Sequence, residues 1–208
     1  MNAHPFAGPI AAGARFLAGV NVTWKGAQPQ LRQTAFFANH SSHLDFVVLW
    51  ASLPSQLRTQ TRPVAAQDYW SRGVRRWLAV NVFNAILVPR HGKAAPNAQR
   101  AAQTIGSIAG EMGDAYSVII FPEGTRGDGE EVAAFKSGLY HLCECKPDLQ
   151  LVPVYMENLN PILPKGEFLP VPFISRVNFG EPTAYDPGES KRGFLERMRQ
   201  SVCALRSR

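Results

Sequence analysis

Short apolar runs alternate with helix-patterned segments through most of this chain, and that alternation constrains the fold more than any other feature. Thr34-Ala35-Phe36-Phe37-Ala38, Tyr116-Ser117-Val118-Ile119-Ile120-Phe121 and Leu151-Val152-Pro153-Val154 are too short for helices and rich in branched or aromatic residues. Such runs read as buried strands. The full order predicted is strand 34–38, helix 43–53, a strand near 61–66, helix 68–78, strand 84–89, helix 97–112, strand 116–121, helix 136–144, strand 150–156, strand 173–179 and helix 189–206. Strands and helices in alternation imply an α/β fold: a single domain over 1–208 with a central, mostly parallel or mixed sheet flanked by helices. The motif-bearing core covers about 34–180. A proline-rich connection, Pro161–Pro172, interrupts any regular element.

Two of the predicted strands run straight into clusters of chemically capable residues. After the first comes Asn39-His40-Ser41-Ser42-His43-Leu44-Asp45. A neutral imidazole accepts a proton near neutral pH through one ring nitrogen while a carboxylate holds the other. Residues five apart do not share a helical face. The pairing of His40 with Asp45 therefore requires His40 in the loop before a helix and Asp45 in its first turn. Ser42 as N-cap with Asp45 three residues on fits that placement. Asp45 then either orients His40 or only caps the helix. A third reading takes His40, His43 and Asp45 as metal ligands. Catalytic zinc needs three well-placed ligands, and His4, His91 and His141 lie in no ligand-like cluster, so no metal is expected.

The second cluster is Phe121-Pro122-Glu123-Gly124-Thr125-Arg126. Pro122 ends the strand because it cannot donate to a ladder. Gly124 permits a tight turn and a close backbone approach to a ligand. Arg126 has the planar fork that grips a phosphate with two hydrogen bonds. The plain alternative is a Glu123–Arg126 ion pair across the turn. The Gly-Lys-Ser/Thr ending of a Walker loop is absent.

His40 and Asp45 followed by Phe-Pro-Glu-Gly-Thr-Arg resembles the glycerolipid acyltransferases, of the 1-acylglycerol-3-phosphate acyltransferase type. Two weaker blocks match as well: Ala85-Ile86-Leu87-Val88-Pro89-Arg90, where the family usually has Asp in place of Pro89, and Leu151-Val152-Pro153-Val154. Phe135-Lys136-Ser137-Gly138 matches the segment that usually follows the third block. The resemblance covers roughly 36–156. It implies an acyltransferase-like fold and an enzyme that moves a fatty acyl group from a thioester to the hydroxyl of a lysophosphatidic-acid-like acceptor in phospholipid biosynthesis. Glycerol 3-phosphate, another lysolipid or a lyso-aminolipid would use the same blocks. It implies His40 as general base and Asp45 as its orienting carboxylate. It also implies Arg90 and Arg126 on the acceptor phosphate, with Glu123, Gly124 and Thr125 shaping that pocket. No cofactor is implied; acyl-CoA or acyl carrier protein is the co-substrate. The absence of a Gly-x-Ser-x-Gly elbow agrees with transfer that needs no covalent acyl-enzyme. A lipid-binding module without chemistry is the competing function.

Composition narrows the partners. Three cysteines (Cys143, Cys145, Cys203) make no disulfide framework, which suits a reducing compartment. The net charge is +6 and the pI about 9.5. No nucleic-acid-binding fingerprint accompanies that charge, so anionic lipid, acyl carrier protein or phosphorylated ligands are the expected partners. No segment has the run of apolar residues that a membrane span requires. The expected location is cytoplasmic, peripheral on the inner face of the cell membrane. Contacts are expected from the N-terminal segment 1–33, from Asp68–Leu78 with Tyr69, Trp70, Trp77 and Leu78 opposite Arg72, Arg75 and Arg76, and from the basic helix in 189–208. The last segment carries six basic residues (Lys191, Arg192, Arg197, Arg199, Arg206, Arg208) against two acidic, Glu189 and Glu196. Its stripe of Phe194, Leu195, Met198, Val202 and Leu205 fits a membrane face or an ordinary core face equally.

Overall fold

The central strand, β2 (Thr34–Ala38), is buried along its whole length. In the computed structural model, which describes residues 5–26, 29–42, 45–89, 98–127, 131–157 and 175–206, β2 lies between β5 (Ser117–Ile120) and β6 (Gln150–Glu157). Phe36 is level with Ile119 on one side and Val152 on the other. With β1 (Asn21–Trp24), β3 (Thr61–Ala66), β4 (Ile86–Val88) and β7 (Arg176–Phe179), they form one seven-stranded sheet of order β1-β7-β6-β2-β5-β3-β4. Every neighbouring pair is parallel except β6 and β7. The sheet is thus mixed but predominantly parallel. Helices cover both faces, which is why the central strands carry apolar residues at successive positions instead of alternating.

Alternate side chains of β2 enter the two halves of the core. Phe36 and Ala38 face α1 (Ala7–Leu17), α2 (Asp45–Ser52) and the aromatic group Phe46, Trp50, Trp70 and Phe83. Ala35 and Phe37 face α5 (Ala98–Met112), α6 (Gly138–Cys145) and α7 (Lys191–Cys203). A short helix, α3 (Ser55–Thr59), leads into β3, and α4 (Gly73–Trp77) passes into a π-helical turn, Leu78–Val82.

Three features differ from the sequence expectation. First, 5–24 holds a helix and an edge strand. β1 joins the sheet through β7, and Trp24 stacks flat on Phe179 with centroids 4.0 Å apart. Second, 68–78 is not one amphipathic helix. Gly73 at φ +57 separates a turn from α4, and Trp70 is turned inward against Phe46 at 5.0 Å and Phe83 at 6.2 Å. Trp70 therefore presents no indole to a membrane, whereas Trp77 remains 41% exposed. Third, the apolar stripe of α7 is core: Phe194, Met198 and Val202 are fully buried and Leu205 nearly so. Only the basic side of α7 is left for any surface. The proline-rich stretch 161–172 lies outside the described residues.

Candidate active site

Both motifs leave the sheet at the carboxyl ends of adjacent parallel strands, where open α/β sheets bind ligands. Asn39 closes the end of β2. Its side-chain amide donates to the Met156 carbonyl at 3.0 Å and its Oδ1 accepts the Met156 N–H at 2.8 Å, continuing the pairing with β6 by a side chain. The backbone of His40 is then clamped on both sides. Its N–H donates to Glu123 Oε1 at 2.8 Å, and its carbonyl accepts the Gly127 N–H at 2.8 Å.

Asp45 is the first residue of α2 and is fully buried. Its Oδ2 accepts the Ser41 N–H at 2.6 Å and the Ser42 N–H at 2.8 Å, and lies 2.8 Å from His40 Nδ1. The Ser42 contact is one half of a capping box, so the capping and orienting readings of Asp45 are both present in one oxygen. Two backbone N–H groups thus fix the position of Oδ2, which faces His40 Nδ1 as a hydrogen-bond acceptor. It requires His40 Nδ1 to be the protonated nitrogen, which leaves the Nε2 lone pair available. The imidazole lies against Phe121, with centroids 4.3 Å apart and planes 20° apart, and its side chain is 20% exposed. One ring edge thus faces the buried carboxylate, while part of the ring stays open to a substrate.

Glu123 does not pair with Arg126 among the described residues. It is buried, and besides the His40 N–H it accepts the Ala133 N–H through Oε2 at 3.1 Å. Burial pushes its carboxyl pKa up, opposed by those two N–H bonds and by nearby His40; Asp45 adds a smaller upward push. Gly124 adopts φ +68, and a Cβ built there would stand 2.8 Å from Lys136 Nζ and 2.9 Å from Lys136 Cδ. Lys136 therefore lies over the turn, anchored by its own N–H to the Pro122 carbonyl at 2.8 Å. Thr125, Arg126 and Lys136 are exposed. Two cations, Arg126 and Lys136, thus flank a glycine turn beside an oriented imidazole. In the sequence Lys136 falls in the Phe135-Lys136-Ser137-Gly138 segment, which assigns it no role. An exposed lysine twelve positions from Gly124 carries no local signal of the contact. Arg90 and His43 lie outside the described residues. Among the described residues no three of His, Cys, Asp and Glu are grouped as metal ligands would be.

A family model described as Acyltransferase matches residues 19–157, from just before β1 to the end of β6. The chain belongs to the acyltransferase family. Both motifs and the connections between them fall inside the matched region. Among similar curated proteins are 1-acyl-sn-glycerol-3-phosphate acyltransferase alpha of Mus musculus, 29% identical over 159 residues, and of Homo sapiens, 29% identical over 158 residues. Each match covers 74% of this chain and 51% of the relative, so the chain spans about half the length of the curated relatives it matches. The crystal structure of the 1-acyl-sn-glycerophosphate (LPA) acyltransferase PlsC from Thermotoga maritima superimposes with a TM-score of 0.69 at 19% identity, covering 96% of this chain and 76% of that one. That likeness establishes the acyltransferase fold.

Proposed function

We propose that this chain transfers a fatty acyl group from a thioester, acyl-CoA or acyl carrier protein, to the free hydroxyl of lysophosphatidic acid. The observation that carries the reading is the 2.8 Å contact from His40 Nδ1 to Asp45 Oδ2, with Asp45 buried and fixed by two backbone N–H groups. The acceptor hydroxyl gives its proton to His40 Nε2 as its oxygen attacks the thioester carbonyl carbon. Asp45 stabilises the imidazolium so formed. The carbon–sulfur bond then breaks, and the departing sulfur takes the proton from Nε2, leaving ester and free thiol. Arg126 and Lys136 hold the acceptor phosphate at the Gly124 turn, together with Arg90. Glu123 fixes the backbone of His40 against that turn, and Gly124 and Thr125 shape it. The relatives named above are acyltransferases for 1-acyl-sn-glycerol 3-phosphate, which favours this acceptor over glycerol 3-phosphate or other lysolipids.

The membrane reading moves with the structure. Among the described residues no helix is long and apolar enough to cross a bilayer. Exposed apolar side chains instead gather on α1 and α4: Phe16 is 85% exposed and Val74 73%, with Phe6, Leu17, Trp77 and Val80 also open. Phe6 and Trp77 lie 6.2 Å apart, joining the two helices, and Arg15, Arg72, Arg75 and Arg76 are exposed among them. Apolar side chains ringed by arginines suit an anionic lipid surface. This face, rather than α7, is the proposed peripheral contact.

The test is release of free thiol from acyl-CoA with and without lysophosphatidic acid. Acceptor-dependent release is expected, with His40→Ala slowing it roughly 100- to 10,000-fold. Release that ignores the acceptor, or survives in His40→Ala, would sink the assignment.

A further inference from the structure

A cavity of about 610 Å³ opens far from His40, at the amino ends of the strands. Its wall includes Thr61, the first residue of β3, and Tyr116, which precedes β5. Tyr116 is level with Gln33, bonded through its carbonyl to the Gln33 side chain. His40 lies seven residues further along the β2 segment, on the order of 20 Å away at the rise of an extended chain. The cavity is therefore separate from the acylation site, and its volume is in the range of small-ligand pockets.

Its polarity is unusual. Arg58 on α3 projects into it with the guanidinium 5.3 Å above the Trp50 ring. Among the described residues Arg58 is partly buried with no side-chain hydrogen bond or carboxylate partner, and none of those that line the cavity is acidic. Burial, and then repulsion from Arg15, lower its pKa. A guanidinium with five donors, partly withdrawn from water and facing no anion, is costly unless something supplies one. Asn81 and Asn84 line the cavity beside it, and Trp50 and Phe83 give it apolar walls. At the rim stand Pro5 and Val80, the latter 49% exposed, adjoining the Phe6–Trp77 contact. The cavity thus joins a cationic floor to the apolar ridge of α1 and α4.

We infer that this cavity is a second lipid site, taking the anionic phosphate headgroup of a phospholipid on Arg58 while the hydrocarbon lies along Val80, Phe6 and Trp77. The ligand is a phosphate ester with an attached apolar chain. The Arg58 fork grips two phosphate oxygens. Arg15 adds long-range attraction, and the exposed apolar side chains take the acyl chains. The site extends the peripheral-membrane reading from a surface to a specific headgroup contact and does not depend on the chemistry at His40.

The probe is a short-chain phosphatidylglycerol kept below its micelle concentration, so that no membrane is needed, titrated into the full chain by calorimetry. Inorganic phosphate and the matching phosphatidylcholine are the comparison ligands. Phosphatidylglycerol is expected to bind about tenfold or more tightly than either. Arg58→Gln and Val80→Asp each weaken it about tenfold or more, and Arg126→Ala leaves it unchanged. Val80→Asp places a repelling charge at an exposed position, so it keeps the test open if Arg58→Gln fails to fold. Binding unchanged in both cavity variants overturns the site, and so does phosphate binding as tightly as the lipid. Loss in Arg126→Ala alone would place the lipid at the acylation site instead. A failed titration with intact acceptor-dependent thiol release removes this site and leaves the proposed reaction standing.

Discussion

Glu123 and His40 are joined by a hydrogen bond of 2.8 Å that runs from the backbone N–H of one to the buried carboxylate of the other, across 83 positions of sequence. The glutamate belongs to the glycine turn, and the histidine to the loop before α2. One side chain therefore fixes the distance between His40 and the Gly124 turn. Replacing Glu123 by Ala leaves the His40 and Ala133 N–H groups without their acceptor. The part-buried His40 N–H, once orphaned, costs about 1–3 kcal/mol, whereas water can take over the bond of the exposed Ala133 N–H. Denaturant unfolding of Glu123→Ala should show a loss of about 1–3 kcal/mol, with turnover falling even under conditions where the variant is folded.

The same residue sets a pH dependence. Its folded pKa is raised above the ordinary 4.5, chiefly by burial. The folded protein then holds this proton to higher pH than the unfolded chain does, so stability falls as pH rises from 4.5 through the raised value. Glu123→Gln has no such titration. The stability of the wild type relative to Glu123→Gln should decline with rising pH over that window; a constant difference would contradict it.

Asp45 has two tasks in one oxygen, and a single variant separates them. In Asp45→Asn the amide oxygen still accepts the Ser41 and Ser42 N–H groups but carries no charge to stabilise an imidazolium. kcat should fall at least about tenfold with the KM of the acyl donor little changed. An unaffected kcat would leave Asp45 as a helix cap alone.

At Gly124 the backbone lies in the left-handed region and Lys136 fills the space a side chain would need. Gly124→Ala should lose about 1–2 kcal/mol of stability from the backbone alone. It also pushes Lys136 off the turn, so the acceptor KM should rise more than that of the donor.

The opposite faces of the molecule should answer differently to substitution. Phe194→Ala opens a hole in the core and should cost about 3–5 kcal/mol. Val74→Asp, at an exposed position, should change stability by no more than about 0.5 kcal/mol while weakening binding to anionic vesicles. If Val74→Asp binds such vesicles as the wild type does, the α1 and α4 face is not the membrane contact.

The buried parallel strands were legible because burial on both faces leaves uninterrupted apolar runs such as Thr34–Ala38 and Ser117–Ile120, and no other short element looks like that. The His40–Asp45 pairing was legible because a spacing of five fits only a loop followed by a first helical turn. β1 was not, because Asn21-Val22-Thr23-Trp24 is a half-exposed edge of four residues whose place depends on β7, more than 150 positions away. Trp70 misled because an aromatic beside arginines has the composition of an interface, whereas its partners Phe46 and Phe83 lie 24 and 13 positions away and leave no local pattern around it. The stripe on α7 carries the same periodicity whether its partner is lipid or Phe37 and Leu139 behind the sheet. Lys136 reaches Gly124 through the fold of residues between them, which no local pattern reports.

The pairing of β2 with β5 and β6 has a kinetic consequence. Its neighbours come from segments about 80 and 116 positions further along the chain, so the central strand gains its partners only after long loops have closed. A nascent chain that has emerged as far as α5 already contains His40 and Asp45 but lacks Glu123 to hold them against a turn. The arrangement around His40 is thus withheld until β5, Glu123 and β6 have been made and have paired with β2, and a chain that stops short of them carries His40 and Asp45 without the turn that holds them.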